Sequence, residues 1–430
     1  MNGPKETCEN SINWRELTAC LFRKCKHRTE IQKMVQAPQN VLVLDNGGYS
    51  LKVGPTTSKS PSIVPNAIFK SKSDRKRVYV GSELKECSDR CGLFFVLPFE
   101  RGYLVNWDVE QQIWQRAFKN CNPKETSIVL TDPNYLIPAI KDLSSEQLFE
   151  EFHFQAVHKS SASSLVARDS FQNGAYNCTL VVDVGYSGIL IAPFFETNLI
   201  AEGVLRINVG GKVLTNQLKE WISYRELNVM EETFVVNECK EDACFVSMDF
   251  NRDIEITMKR GPENTTKRSY VLPDFVASQR GHLAKPGEDL SGKQCLTMNI
   301  ERFTLPEAVF NPSDIGIDQM GVVDGVLESL NRCPENLRPR LAENIVVVGG
   351  SSKFPGFLER FQRDLRSLLP TTWRFFVRND VENPTTFAWN CGKNSFANLE
   401  PNQFKELFMT KQEWDETGYS GEIKKFYKTI

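Results

Sequence analysis

Two aspartates stand out in this 430-residue chain because each closes an apolar run and is followed by a glycine turn. The first is Asp45, in Val41-Leu42-Val43-Leu44-Asp45-Asn46-Gly47-Gly48-Tyr49-Ser50-Leu51-Lys52-Val53. The second is Asp183, in Leu180-Val181-Val182-Asp183-Val184-Gly185-Tyr186-Ser187-Gly188-Ile189-Leu190-Ile191. A glycine turn between strands lets backbone N–H groups approach an anion with no Cβ in the way. An aspartate at the strand end is placed to bind a divalent cation or its waters. Lys52, on the return strand, can point back at the same phosphates. A third run, Asn344-Ile345-Val346-Val347-Val348, ends in Gly349-Gly350-Ser351-Ser352. Two hairpins on facing lobes would clamp a triphosphate, with Gly349 and Gly350 closing over the adenosine. Taken singly, each glycine pair has the plainer reading of a chain reversal. Three in this order, each after a buried strand, form a stronger signal.

The elements that must position these groups follow from the apolar patterning. The apolar strand, Asp and glycine turn, apolar strand unit occurs twice, about 140 residues apart, which predicts two related lobes. Pro355-Gly356-Phe357 opens a predicted helix to about Leu369, with Phe357, Leu358, Phe361, Leu365 and Leu368 at helical spacing. Further helices are expected at Trp107–Phe118, Gln147–Phe152 and Gly211–Ile222. Strands alternating with helices give an α/β architecture.

Composition narrows the class. Apolar content of 40%, charge of 25% and a net charge of −2 are ordinary for a globular protein. No global field points to nucleic acid or to an anionic membrane, so any such partner would use a local patch. The longest apolar candidate, Cys178 to Phe195, carries Asp183, Gly185 and Gly188, which argues against a transmembrane span. Residues 1–39 are polar and lack sustained periodicity; they read as a flexible extension without a secretory signal. The 12 cysteines are spread over the chain and read as reduced thiols. Cys20, Cys25 and His27, and Cys87 with Cys91, lack a second pair at zinc-site spacing.

From about residue 40 onward the chain resembles actin and the actin-related proteins. The resemblance runs through Leu44–Gly47, Pro98–Asp108, Leu130–Pro133, Lys240–Cys244, Asn311–Gly316, Gly349–Gly356 and Thr410–Gly418. Phe99–Val109, Phe152–Val157, Arg206–Lys212 and Tyr270–Phe275 look closer still to the nuclear actin-related protein 6 class. What this implies is an actin-like α/β fold of the actin and sugar-kinase superfamily, two-lobed, with a central nucleotide cleft. The first lobe would span 40–175, with 66–101 as its small subdomain and 395–430 completing it. The second would span 176–394, with 213–299 as its small subdomain. The resemblance places Asp45, Gly47, Gly48 and Lys52 at a first phosphate loop, and Asp183 and Gly185 at a second. It places Gly211, Lys240, Glu241, Gly350, Ser351, Lys353 and Phe354 around the adenosine, and it implies ATP with magnesium as the cofactor.

Departures from that pattern decide the functional expectation. Ala162 aligns with the glutamine that orients the attacking water, Tyr186 with an aspartate of the second loop, and Leu190 with a histidine. None of these replacements can hold a metal's water shell or relay a proton, so hydrolysis is not expected. Tyr49 replaces a glycine and crowds the γ-phosphate position. The segment after Pro65 is shorter than the actin loop that grips a neighbour, which argues against a self-filament. In its place Lys70, Lys72, Arg75, Lys76 and Arg77 make a basic stretch suited to nuclear import or DNA phosphate. Phe404–Met409 adds apolar groups for docking. The implied role is a non-catalytic scaffold subunit of a nuclear chromatin remodeller of the SWR/SRCAP type, with a cytoplasmic pool allowed. It would contact the motor subunit, a small zinc-finger subunit, nucleosomal DNA and heterochromatin protein 1. The competing readings are an actin-like ATPase and a cytoskeletal actin-related protein.

Overall fold

The computed structural model describes residues 40–72, 77–87, 90, 92–133, 143–174, 176–276 and 278–427. The expected extension, residues 1–39, lies outside the described residues, as do Arg75, Lys76 and Cys91.

The repeated sequence unit folds as the same structural unit twice. In the first, strand Val41–Asn46 pairs antiparallel with Ser50–Pro55 and parallel with Ser127–Thr131. In the second, Cys178–Val184 pairs antiparallel with Ile189–Phe195 and parallel with Ile345–Val348. The four residues of Ile345–Val348 are all buried, as a strand covered on both faces should be. The first sheet has six strands, from Met409–Thr410 at one edge through Ala156–Ser160, Ser127–Thr131, Val41–Asn46 and Ser50–Pro55 to Ser62–Pro65. The second is built on Ile189–Phe195, Cys178–Val184 and Ile345–Val348.

Each sheet has its own core, and a third apolar cluster joins them. Val43 and Val129 of the first sheet and Val181 and Val346 of the second share that cluster with Leu165 and Trp389. Helices Ala162–Gln172 and Phe387–Phe396 supply the last two, so they lie between the sheets. The Trp389 indole donates to the Val43 carbonyl at 3.1 Å, which satisfies a buried N–H and ties the helix to the strand.

Local signals set the element boundaries. Asn106 caps the helix Trp107–Ala117 by accepting from the Val109 amide at 3.3 Å. Ser161 caps Ala162–Gln172 through the Ser164 amide at 3.0 Å. Gly356 takes a left-handed φ of 84° just before helix Phe357–Leu368. On that helix Phe357, Phe361 and Leu365 are buried, while Leu358 and Leu368 are exposed. The apolar face is therefore narrower than the spacing predicts, because i, i+4, i+8 is one stripe and the other two lie beside it. The expected Gln147–Phe152 helix is a π-helical turn at Gln147–Glu151.

Of the apolar groups expected to be available at Phe404–Met409, Phe404 and Leu407 are half-buried and two are covered. Phe408 and Met409 are buried, with Phe408 against Phe396 and stacked on Phe404 at 4.5 Å. Backbone pairing of Met409–Thr410 to Ala156–Val157 pulls these residues into the first lobe. Within the short segment after Pro65, Ile68–Lys70 forms a three-stranded sheet with Val78–Val80 and Phe94–Val96. Its apolar face, with Phe69, Tyr79 and Leu84, packs on Phe234 of the second lobe. Among the described residues, no helix is long and apolar enough to cross a membrane.

Candidate functional site

The two hairpin turns face each other across a cleft of about 680 Å³ between the lobes. Asp45 ends the first central strand and stands opposite Lys52 in the hairpin register, their charges 3.3 Å apart. The Thr131 hydroxyl donates to Asp45 Oδ1 at 3.1 Å and accepts from the Asn46 amide at 2.8 Å, which fixes the strand end. The turn then closes tightly: a Cβ on Gly47 would stand 2.9 Å from the Ser50 carbonyl oxygen and 3.1 Å from Lys52 Nζ. Asn66 supports it from behind, donating to the Gly47 carbonyl at 3.1 Å.

Asp183 ends the equivalent strand of the second lobe. Burial pushes its carboxyl up to about 6, the Asp45 charge adds to the rise, and Lys52 opposes it. Asp183 thus senses both charges of the opposite turn. Gly349 closes the same corner at φ +92°, where a Cβ would stand 2.5 Å from Asp183 Oδ1 and from the Val184 carbonyl. Among the described residues no group of three or more metal-ligating side chains occurs, so a cation here would rest on two carboxylates, phosphate oxygens and water.

All of the residues expected around a nucleotide line this one cleft. Asp45, Gly47, Gly48 and Lys52 stand on one wall and Asp183, Gly185 and Gly211 on the other, with Lys240, Glu241, Gly349, Gly350, Ser351, Lys353 and Phe354 along the far side. The replacements Ala162, Tyr186 and Leu190 line it too. Ala162 is the first residue of its helix and carries no hydrogen-bonding side chain. Beside it the Ser161 and Ser163 hydroxyls bond each other at 3.0 Å.

On the side where the resemblance puts an adenosine, the polar groups are already engaged. Lys240 is buried, and its ammonium donates to the Gly211 carbonyl at 3.1 Å, to Thr215 Oγ1 at 2.8 Å and to Asn237 Oδ1 at 2.9 Å. Burial lowers its pKa to about 8. Asn237 in turn donates to Glu241 at 2.8 Å.

Sequence reasoning passes over several groups in this region. Asn237 sits three and four positions before Lys240 and Glu241, so helical spacing is the available signal. Arg280, on the excursion between strands Arg268–Val271 and His282–Leu283, lines the cleft and pairs with Asp242 at 2.8 Å. No sequence pattern marks it. Glu110, fully buried on Trp107–Ala117 behind the first turn, lies against Asn46, Trp114 and Asn66; burial pushes its carboxyl up to about 7. Tyr49 and Tyr186 stand out singly in the sequence, and in the fold their rings meet at 4.9 Å between centroids.

The basic stretch is partly engaged. Lys70 is exposed, whereas Lys72 pairs with Glu231 of the second lobe and Arg77 with Glu86.

Against this geometry, a family model described as Actin matches residues 36–426. An actin-like protein of Caenorhabditis elegans is 49% identical over 90% of this chain and 93% of its own length. Actin-related protein 6 of Drosophila melanogaster is 40% identical over 89% of this chain and 98% of its own. The actin-like protein ARP6 of Yarrowia lipolytica is 36% identical, covering 88% and 95%. The paired hairpins, the cleft between them and these matches together make the chain a member of the actin family, with its similarity to proteins named actin-related protein 6 running over most of its length.

Proposed function

We propose that this protein is a non-catalytic scaffold subunit of a nuclear chromatin-remodelling complex of the SWR/SRCAP type. One observation supports this above the others: a complete actin-like cleft is lined by Ala162, Tyr186 and Leu190 where a hydrolytic member needs groups that orient water and move protons. The body that such a cleft organises is intact, so its value lies in the surfaces it presents. Similarity to proteins named actin-related protein 6 in fly and yeast supports the assignment to that class. The partners in this reading are the motor subunit, a small zinc-finger subunit, nucleosomal DNA and heterochromatin protein 1, with the protein resident in the nucleus.

The phosphate end of the cleft fits ATP with magnesium. Asp45 and Asp183 would hold the ion through its waters, while Lys52 and the turn amides would face the phosphates. Magnesium would supply charge neutralisation there. The nucleoside end does not fit as it stands, because Lys240, Asn237 and Glu241 bond one another and Tyr49.

Two measurements test the reading. Affinity purification of the endogenous protein should recover a remodeller motor and a zinc-finger subunit, and its depletion should slow variant-histone exchange. Purified protein should neither hydrolyse ATP in single-turnover assays nor sediment as a polymer. Turnover of about 1 s⁻¹ or more, the range of ordinary enzymes, would favour the ATPase reading instead.

A further inference from the structure

Tyr49 leaves the first turn and crosses the cleft. Its phenol oxygen accepts from Asn237 Nδ2 at 3.1 Å, on helix Thr233–Ala243 of the second lobe. On the way its ring meets Tyr186, tilted 41° with centroids 4.9 Å apart, an arrangement that favours aromatic pairs. Tyr186 rises from the opposite turn and lies against Gly211, where a Cβ would stand 3.4 Å from its Cδ2. The turns themselves touch: a Cβ on Gly48 would be 2.9 Å from the Ser187 hydroxyl.

These contacts join the two lobes at the place where a bound nucleotide would join them. Asn237 links Tyr49 to Glu241, and Lys240 links Asn237 to Gly211 and Thr215. The ammonium, the carboxylate and the amide at the nucleoside side therefore have protein partners. A nucleoside running from the phosphate turns to Lys240 and Glu241 must part Tyr49 from Asn237. Tyr49 still keeps 43% of its surface open within the cleft, so the ring can be displaced without repacking a core.

We propose that Tyr49 and Tyr186 form a resident bridge that holds the lobes together in place of a nucleotide. The bridge makes the bare protein the closed form and taxes any nucleotide by the fraction of molecules in which it is open. It does not depend on which assembly contains the protein, so failure of the scaffold reading leaves it standing.

The test uses the full chain and thermal unfolding in EDTA, in magnesium with ADP, and in magnesium with ATP. The wild-type midpoint is expected to differ by less than about 2 °C among the three, since a ligand that binds the folded state raises it. Tyr49→Gly combined with Tyr186→Asp should melt lower in EDTA and recover with magnesium and ADP. A wild-type midpoint that rises well beyond that margin with either nucleotide overturns the proposal, as does a double variant that behaves like wild type. If the double variant does not fold, titration with etheno-ADP decides, starting from Asn237→Ala. That change keeps both rings but also frees Lys240 and Glu241, so Tyr49→Phe, which removes only the phenol tie, is titrated beside it; binding about tenfold tighter than wild type in Tyr49→Phe supports the bridge, and unchanged affinity there overturns it.

Discussion

The Lys159 ammonium meets the Glu422 carboxylate at 2.8 Å, with side chains only 1% and 0% exposed. Ser144 accepts a second bond from the same ammonium at 2.6 Å. This pair fastens the C-terminal helix, Lys411–Phe426, to strand Ala156–Ser160 of the first lobe. Removing Glu422 leaves the Lys159 ammonium with the Ser144 hydroxyl and with the Asp132 carboxylate 3.9 Å away, so the cost lies near about 3 kcal/mol, the low end for breaking a buried pair. Glu422→Ala should therefore lower stability by about that amount in urea unfolding. Lys159→Met with Glu422→Leu should lose less, because the two most buried charges go together and Asp132, 15% exposed, keeps access to water. Equal losses from the single and double changes would show that the helix is held by other contacts.

Glu110 makes a pH-dependent prediction. Its folded pKa, about 7, exceeds the ordinary 4.5, so the folded state binds its proton more tightly than the unfolded state. Between those values its contribution to stability falls as pH rises. Glu110→Gln keeps the shape and removes the charge. It should stabilise the protein at pH 8 by about 3 kcal/mol, with little effect at pH 4.5. His158, which burial lowers to about 4, has the opposite slope, and it cancels when variant and wild type are compared at each pH. A difference that does not change with pH would remove Glu110 from the account.

Gly349→Ala tests the corner between Asp183 and Val184. The left-handed φ of +92° disfavours any side chain, and the Cβ would stand 2.5 Å from the Val184 backbone. Strain of this kind costs about 1–3 kcal/mol before the clash is counted, so the thermal midpoint should fall by several degrees. Gly174→Ala, at φ +69° with open space around it, should cost less and serves as the control.

Under the proposed scaffold role, the basic stretch predicts a salt effect on nucleosome binding by the complex that would contain this protein. Among the described basic residues Lys72 and Arg77 have acidic partners and Lys70 is exposed, so Lys70 is the charge to remove first. Replacing Lys70, and then all of Lys70, Lys72, Arg75, Lys76 and Arg77, by alanine should weaken binding and flatten its dependence on salt by about 0.9 for each phosphate no longer neutralised, with assembly intact. Unchanged affinity and slope would make the stretch a solvated surface.

The paired hairpins are readable because a continuous apolar run, an aspartate near the strand end and a glycine turn are all local. Every residue assigned to the cleft from those signals and from the resemblance does line it. What stays hidden depends on which distant segments meet. Tyr49 and Asn237 are 188 positions apart, and no local pattern predicts that the phenol reaches that amide. Arg280 comes from an excursion with no periodic pattern. Phe408 and Met409 look available because apolar groups near a chain end are often exposed; strand pairing to Ala156–Val157 buries them. Leu358 and Leu368 fail for a simpler reason, since helical spacing marks a face and leaves its width to the neighbours.

The fastening of the C-terminal helix also sets the order in which the molecule is finished. Lys159 and Glu422 are 263 positions apart, and the whole second lobe is made between them. At ribosomal rates of about 5–20 residues per second, the first lobe waits roughly 10–50 s for its edge strand and its last helix. During that interval the strand Ala156–Ser160 lacks its partner Met409–Thr410, and Phe396, Phe404 and Phe408, which pack together beside it, are not yet made. The lobe that is synthesised first is completed last, so the growing chain carries an open sheet edge for the time it most needs a chaperone.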